Sequence, residues 1–313
     1  MLYLILVILM FIMMMLYFKL ADHYNIIDKP NERSSHAEVT IRGGGVIFLI
    51  AVICSLILHP EFWMPILGML IIGIISFIDD RITLSNKIRI FFHLTAVTLL
   101  FLALNIFQLY PWYICIGLYI LVIGIINAYN FMDGINGITG LYSLVVLGGL
   151  QYVNYQIASF IEPDLIWLPV LACVVFLFFN FRKRAKCFAG DVGSISIAFW
   201  ISYLIFKLII QTENYAYILF LSVYGVDAIL TIVHRLLLKQ NIFKAHRLHF
   251  YQILANDQKW PHLWVAALYA LVQSLIIIAI IDWPINFEYL FLLTTLPLVL
   301  CYVFLKKKLM LSI

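Results

Sequence analysis

Asp79 and Asp80 stand side by side at the end of an otherwise hydrocarbon stretch, Ile66 to Ile78. Carboxylates at the edge of a membrane span are costly unless something cationic meets them. On a helix they would also sit at its C-terminal end, where the dipole is already negative. Two anions there call for a metal, a basic cluster or a proton. Arg81, Lys87 and Arg89 follow closely and could neutralise the pair as a plain ion-pair cluster. The adjacency of the two acids beside the bilayer favours a catalytic or metal-binding role.

Four further segments are unusually polar. The first is Asp28 to His36, followed by Thr40-Ile-Arg-Gly-Gly-Gly45. A glycine turn opening a helix exposes N–H groups and a positive dipole end to a phosphate, and Arg42 adds a forked donor. It reads equally as a flexible lead into a span with an inner-face arginine. The second is Asn127 to Gly140, where Asn127, Asn130 and Asp133 recur every three residues and would share a helical face. Asn136 follows between Gly134 and Gly137. Such an amide-rich face suits a nucleobase, ribose or sugar, and interhelical hydrogen bonding is the plainer alternative. In the third, Phe188-Ala-Gly-Asp-Val-Gly-Ser194, Asp191 is either a helix cap or a divalent-metal ligand, with Ser194 a candidate N-cap. The fourth runs from Lys244 to Gln252. His246 and His249 are spaced i, i+3, but no third soft ligand argues for zinc; around Arg247 they read as a pyrophosphate grip. Asp227, in the preceding span, reads as a structural partner of His234 or Arg235.

The elements that must position these residues are membrane helices. The chain has 313 residues, 65% of them hydrophobic and 12% charged, against about 25% charged in a soluble domain. Apolar runs at 1–20, 43–59, 64–80, 89–108, 111–129, 138–159, 164–181, 194–211, 215–234, 262–282 and 286–305 predict an all-α, polytopic protein of about eleven transmembrane helices. The first run, without a charged leader or cleavage site, is expected to be retained. Of the 20 Lys and Arg residues, all but Lys207 fall in alternate loops or at the C-terminus. The positive-inside bias then puts the N-terminus outside and the C-terminus in the cytoplasm. The whole chain, 1–313, reads as one domain with cytoplasmic catalytic loops near 21–43, 79–89, 127–140, 182–194 and 235–261. The five cysteines imply no disulfide, since four lie in spans and Cys187 faces a reducing compartment. The net charge of +4 sits on the inner face and suits anionic headgroups or a phosphorylated substrate; no nucleic-acid partner is expected. Acids with amide, glycine or basic neighbours on one side of the membrane predict a single site for a metal and a polyphosphate. Magnesium is the natural ion, since it takes one or two carboxylates and fills its shell with water and phosphate oxygens.

These motifs together resemble the polyprenyl-phosphate N-acetylhexosamine-1-phosphate transferases. The resemblance rests on Asp79-Asp80 with Leu84, Ser85 and Arg89, on Asn127 to Gly137, on Phe188 to Ser194, on His246 to Gln252, and on Gly43 to Gly45. It implies transfer of a sugar 1-phosphate from a UDP-sugar, UDP-GlcNAc by default, to undecaprenyl phosphate with release of UMP. That step starts surface polysaccharides such as O-antigen, at the cytoplasmic face of a bacterial inner membrane. It further implies Mg²⁺, or Mn²⁺ in its place, on Asp191 and Asp80. Asp79 or Asp80 would ready the lipid phosphate. Arg42, Gly43, Gly44, Arg89, Asn127, Asn130, Asp133, Asn136, His246, Arg247 and His249 would bind substrate. The partners are then the UDP-sugar, the lipid phosphate and the bilayer, with a homodimer allowed. The chain departs from the family pattern at Asn136, often Asp there, and in a reduced histidine loop. His-Arg-Leu-His at 246–249 is closer to the polysaccharide initiators than to the phospho-MurNAc-pentapeptide transferase, which is the alternative within the family. The rival class is a transporter or flippase, which would carry its charges near the midplane on broken helices. One-step and covalent two-step routes both remain open at this level.

Overall fold

The computed structural model describes residues 1–28, 39–241, 246–283 and 285–311. Most of the polar stretch Asp28 to His36, and Lys244 with Ala245, lie outside the described residues. Thirteen α-helices follow one another among the described residues: α1 Leu2–His23, α2 Val46–Leu58, α3 Trp63–Arg81, α4 Asn86–Ala103, α5 Ile106–Leu109, α6 Trp112–Met132, α7 Ile138–Gln156, α8 Asp164–Asn180, α9 Gly190–Thr212, α10 Ser222–Leu237, α11 Phe250–Gln252, α12 His262–Asp282 and α13 Phe287–Leu311. Two short strands, β1 Ile27–Asp28 and β2 Thr40–Ile41, pair antiparallel, and Ile41 also bridges to Cys187.

Every predicted span meets a long helix, with shifted ends. The run at 89–108 stops at Ala103, because Asn105 takes a left-handed conformation (φ 55°) and restarts the chain as α5. Eight helical segments are long and apolar enough to cross a membrane, by length and composition. The three other long helices fall short for distinct reasons. α2, with 13 residues, reaches only about 20 Å at 1.5 Å per residue, and α8, with 17, about 25 Å, both short of a hydrocarbon core of about 30 Å. α7 carries Tyr142, Ser143, Gln151 and Asn154 as buried residues and so reads as an interior helix.

α9 is the axis of the bundle. Every residue from Val192 to Phe206 is buried, against α3, α6, α2 and α7. Its N-terminus meets that of α2 at backbone distance: a Cβ on Gly45 would lie 2.0 Å from Gly193 Cα. Only glycine at both positions permits this approach, which draws the 42–45 turn onto the start of α9. By contrast α6 and α13 keep most of their apolar side chains on the outside, where lipid tails solvate them at no cost.

Candidate functional site

The adjacent acids at the end of α3 serve two different partners, because successive helical residues point about 100° apart. Asp79 accepts the Leu84 N–H at 2.6 Å and pairs with Arg89 Nη1 at 3.2 Å. Asp80, its side chain fully buried, sits 2.7 Å from Arg42 Nη2. Its Oδ2 also accepts the Val192 N–H at 3.2 Å, so it caps the first turn of α9 from another helix. The dipole favours an anion there. Gly190 makes the approach feasible: its φ is +70°, and a Cβ would fall 2.5 Å from Asp80 Oδ2. Arg81, expected among the neutralising cations, turns away and donates to the Tyr24 carbonyl at 2.7 Å.

This geometry corrects the expected start of α9 and redraws the surroundings of the glycine turn. α9 begins at Gly190, not after Ser194, so Asp191 lies in its first turn. Ser194 is no cap; its hydroxyl donates to Asn130 Oδ1 at 2.9 Å and to the Gly190 carbonyl. The glycine turn is not a free phosphate cradle. Gly44 N–H donates to the Phe188 carbonyl at 2.7 Å and Gly45 N–H to Ala189 at 3.0 Å, while Gly43 takes φ +75° to make the bend. Arg42, expected to bind substrate, is paired here with Asp80 and keeps about a third of its side chain exposed. Burial works against its charge, and the carboxylates of Asp80 and Asp191 outweigh that and raise its pKa. Asp191 Oδ1 stands 3.9 Å from the same guanidinium, and among the described residues no side chain hydrogen-bonds to it.

The amide-rich segment ends α6 and turns into α7. Asn127 folds back onto the Ile123 carbonyl at 2.8 Å, and Asn130 receives Ser194. Asp133 accepts the Thr139 hydroxyl at 2.6 Å. Asn136, expected to touch substrate, is buried and donates to the carbonyls of Arg182 at 2.8 Å and Lys183 at 3.4 Å. It therefore shapes the basic loop. Asn180, which no sequence signal singled out, clamps the same region: it accepts Gly137 N–H at 2.6 Å and donates to the Cys187 carbonyl at 2.8 Å.

The histidine loop is organised by Asp227, and not through His234 or Arg235. Asp227 accepts the Phe250 N–H at 2.9 Å, the Tyr269 hydroxyl at 2.7 Å and, from the other ring of the pair, His249 Nδ1 at 3.4 Å. His246 accepts the Leu248 N–H on its Nδ1 at 3.3 Å. Burial, then His249, Arg235 and Lys306, lowers the His246 pKa to about 4. A neutral His246 is a weaker pyrophosphate grip than the sequence suggested. Arg247 is half-buried.

One cavity of about 590 Å³ gathers much of this. Asp79, Arg89, Asn127, Asn130, His246 and His249 all line it, with apolar Ile75, Ile123 and Ile195. Asn86, His93 and Phe131 line it too. Of these, Asn86 was legible as the i, i+3 partner of Arg89, to which it is bonded at 2.5 Å. Arg42, Asp80, Asp133, Asp191 and Asn136 stand outside the lining; Ser194 links Asn130 on the wall to the Gly190 carbonyl at the start of α9.

The charges do not balance. Asp79, Asp80, Asp133 and Asp191 face two arginines, Arg42 and Arg89. Burial pushes the Asp133 carboxyl up to about 7, with Asp191 adding to it, against the Thr139 hydrogen bond and Arg42. Among the described residues no three His, Cys, Asp or Glu side chains form a protein-only metal cage. An excess of carboxylate without such a cage suits Mg²⁺, which draws the rest of its shell from water and phosphate.

Residues 62–209 match glycosyl transferase family 4. The chain is 25% identical over 256 residues to a probable undecaprenyl-phosphate N-acetylglucosaminyl 1-phosphate transferase of Bacillus subtilis, covering 75% of this chain and 71% of that protein. It is 28% identical over 202 residues to an undecaprenyl-phosphate alpha-N-acetylglucosaminyl 1-phosphate transferase of Yersinia pestis, covering 58% and 55%. A phospho-N-acetylmuramoyl-pentapeptide-transferase of Thermotoga neapolitana is 25% identical over 262 residues, covering 77% and 84%. These relatives agree with the resemblance carried by the motifs. The matched region holds both α3 acids, the amide turn and Asp191; Arg42 and the histidine loop lie outside it.

Proposed function

We propose that this chain, whose residues 62–209 match glycosyl transferase family 4, transfers a sugar 1-phosphate from a UDP-sugar to undecaprenyl phosphate and releases UMP. The observation that carries the reading is a cavity to which three distant segments contribute: Asp79 and Arg89, Asn127 and Asn130, His246 and His249. Its polar groups and its apolar wall suit a phosphorylated, lipid-bearing pair of substrates. The inner-face location rests on the Lys and Arg distribution.

Phosphoryl transfer of this kind asks for positioning and charge neutralisation more than covalent help. A lipid phosphate oxygen attacks the β-phosphorus in line and UMP leaves. Arg89, held by Asp79 and Asn86, is the guanidinium on the cavity wall and would grip a phosphate. Asp79 has both oxygens engaged, by Leu84 and Arg89, and so orients this donor; it is poorly disposed as a nucleophile. Asn127 and Asn130 offer amides to the uridine and sugar. Asp191, with Asp80 behind it, would hold Mg²⁺ (or Mn²⁺), which when bound supplies positive charge to the pyrophosphate.

Purified protein tests the proposal. UMP should appear only with UDP-sugar, undecaprenyl phosphate and Mg²⁺ together, and a single-turnover reaction without lipid should release none. Silence across UDP-GlcNAc, UDP-GalNAc, UDP-N-acetylfucosamine and UDP-MurNAc-pentapeptide would overturn it in favour of a transporter or flippase. The last substrate addresses the second reading, phospho-MurNAc-pentapeptide transfer, which the long alignment to the Thermotoga protein favours.

A further inference from the structure

His93 is a polar side chain on the cavity wall that the proposed chemistry does not use. It lies on α4, one helical turn beyond Arg89, on the face that Asn86, Arg89 and Ile90 also present to the cavity. It is 8% exposed, yet its ring makes no hydrogen bond among the described residues. Every other polar side chain on that wall is bonded to protein, from Asp79 and Arg89 to Ser76, which folds back on the Ile72 carbonyl at 2.6 Å. A buried imidazole without a partner is costly, so the group that answers it has to come from what fills the cavity.

The ring stands where the wall changes character. Around it the lining is Ile75 of α3, Ile90 of α4, Ile123 of α6 and Ile195 of α9. Ile90 is 58% exposed on a helix apolar enough to cross a membrane, so this isoleucine wall runs out to the lipid-facing surface. Arg89, with Nη1 on Asp79 and Nη2 on Asn86, is fixed one turn back toward the polar groups. A guanidinium and an imidazole at the edge of such a wall match a phosphate that carries an apolar chain. The anion takes the N–H donors, and the chain takes the isoleucines. The diphosphate of a nucleotide sugar is polar at both ends and has no hydrocarbon to set against them.

We infer that His93 is a substrate-binding residue that, together with Arg89, seats the phosphate of the acceptor lipid. That this lipid is one of two substrates rests on the proposed transferase reading; the seat for a lipid phosphate does not.

His93→Leu fills the space and removes the donor, while His93→Gln keeps an N–H. Undecaprenyl phosphate, undecaprenol and UDP, which every candidate nucleotide sugar contains, are each titrated against purified full-length protein in detergent. His93→Leu should weaken undecaprenyl phosphate about tenfold, the scale of one hydrogen bond to a charged group. Undecaprenol and UDP should stay within about twofold, and His93→Gln should recover most of the loss. In turnover the same split should appear as a raised KM for the lipid phosphate beside an unchanged KM for the UDP-sugar. The thermal midpoint of His93→Leu should not fall, because the protein gives the ring no hydrogen bond to lose. No binding of undecaprenyl phosphate by the native protein, an unchanged affinity in His93→Leu, or an equal loss for undecaprenol or UDP would each overturn the inference. A lower midpoint with unchanged lipid binding would make His93 structural and overturn it too. Weakened lipid-phosphate binding in a protein that releases no UMP from any UDP-sugar would sink the transferase reading and leave the seat standing.

Discussion

Asp191 is the acid whose carboxylate stays least committed to protein partners: Arg42 is 3.9 Å away, while Asp79 and Asp80 are each held by a closer cation and a backbone N–H. Asp191→Asn should therefore lower metal-dependent UMP release by about two orders of magnitude or more, the several kcal/mol a metal's charge supplies. The protein should keep its native elution and thermal midpoint; near-normal turnover would refute the assignment. Asp133 leads to a pH prediction. Burial holds its folded carboxyl at about 7, above an unfolded value near about 4. The folded state then binds the proton more tightly, so this contribution to stability is full at low pH and is lost as pH rises through about 7. In metal-free protein, the melting midpoint of Asp133→Asn should gain on that of the native chain between about pH 5 and pH 8. A difference independent of pH would count against a proton-holding Asp133.

At the scale of elements, the amide turn and the histidine loop are one structure. Tyr251 donates its hydroxyl to the Phe131 carbonyl at 2.9 Å, and a Cβ on Gly134 would fall 2.1 Å from that hydroxyl. Gly134→Ala should push the loop off the cavity and reduce kcat/KM about tenfold or more, with destabilisation of about 1–3 kcal/mol from overpacking. Adding Tyr251→Phe removes the clashing oxygen and should recover part of both losses; no recovery would separate the two elements. This coupling was only half legible beforehand. The glycines marked a turn by their type, but their neighbour lies over a hundred residues away in the chain. Likewise the 43–45 glycines suggested an anion site because a glycine-rich helix start is a common one. The N–H groups of Gly44 and Gly45 are in fact consumed by Phe188 and Ala189, since α2 and α9 touch at Gly45 and Gly193.

At the scale of the whole molecule, topology is the open quantity that a labelling experiment decides. In a cysteine-free background, a cysteine at Arg184 should react with an impermeant thiol reagent only from the cytoplasmic side. One at Glu61, by the cluster where His59 pairs with Asp164 at 2.9 Å, should react only from outside. Labelling of both from one side would reverse the positive-inside reading. The amino-acid sequence by itself determined the membrane class, the helix order and the set of polar segments, because apolar run length and charge asymmetry are local properties that survive without packing. It also carried the family resemblance in its ordered motifs. Only the tertiary structure decided which charge answers which. The rotation of α3 sends Asp79 to Arg89 and Asp80 to Arg42, and the packing of α10 delivers Asp227 to His249. Burial dictates that each such group must be met, but the partner's identity depends on helix rotation and contact across distant segments.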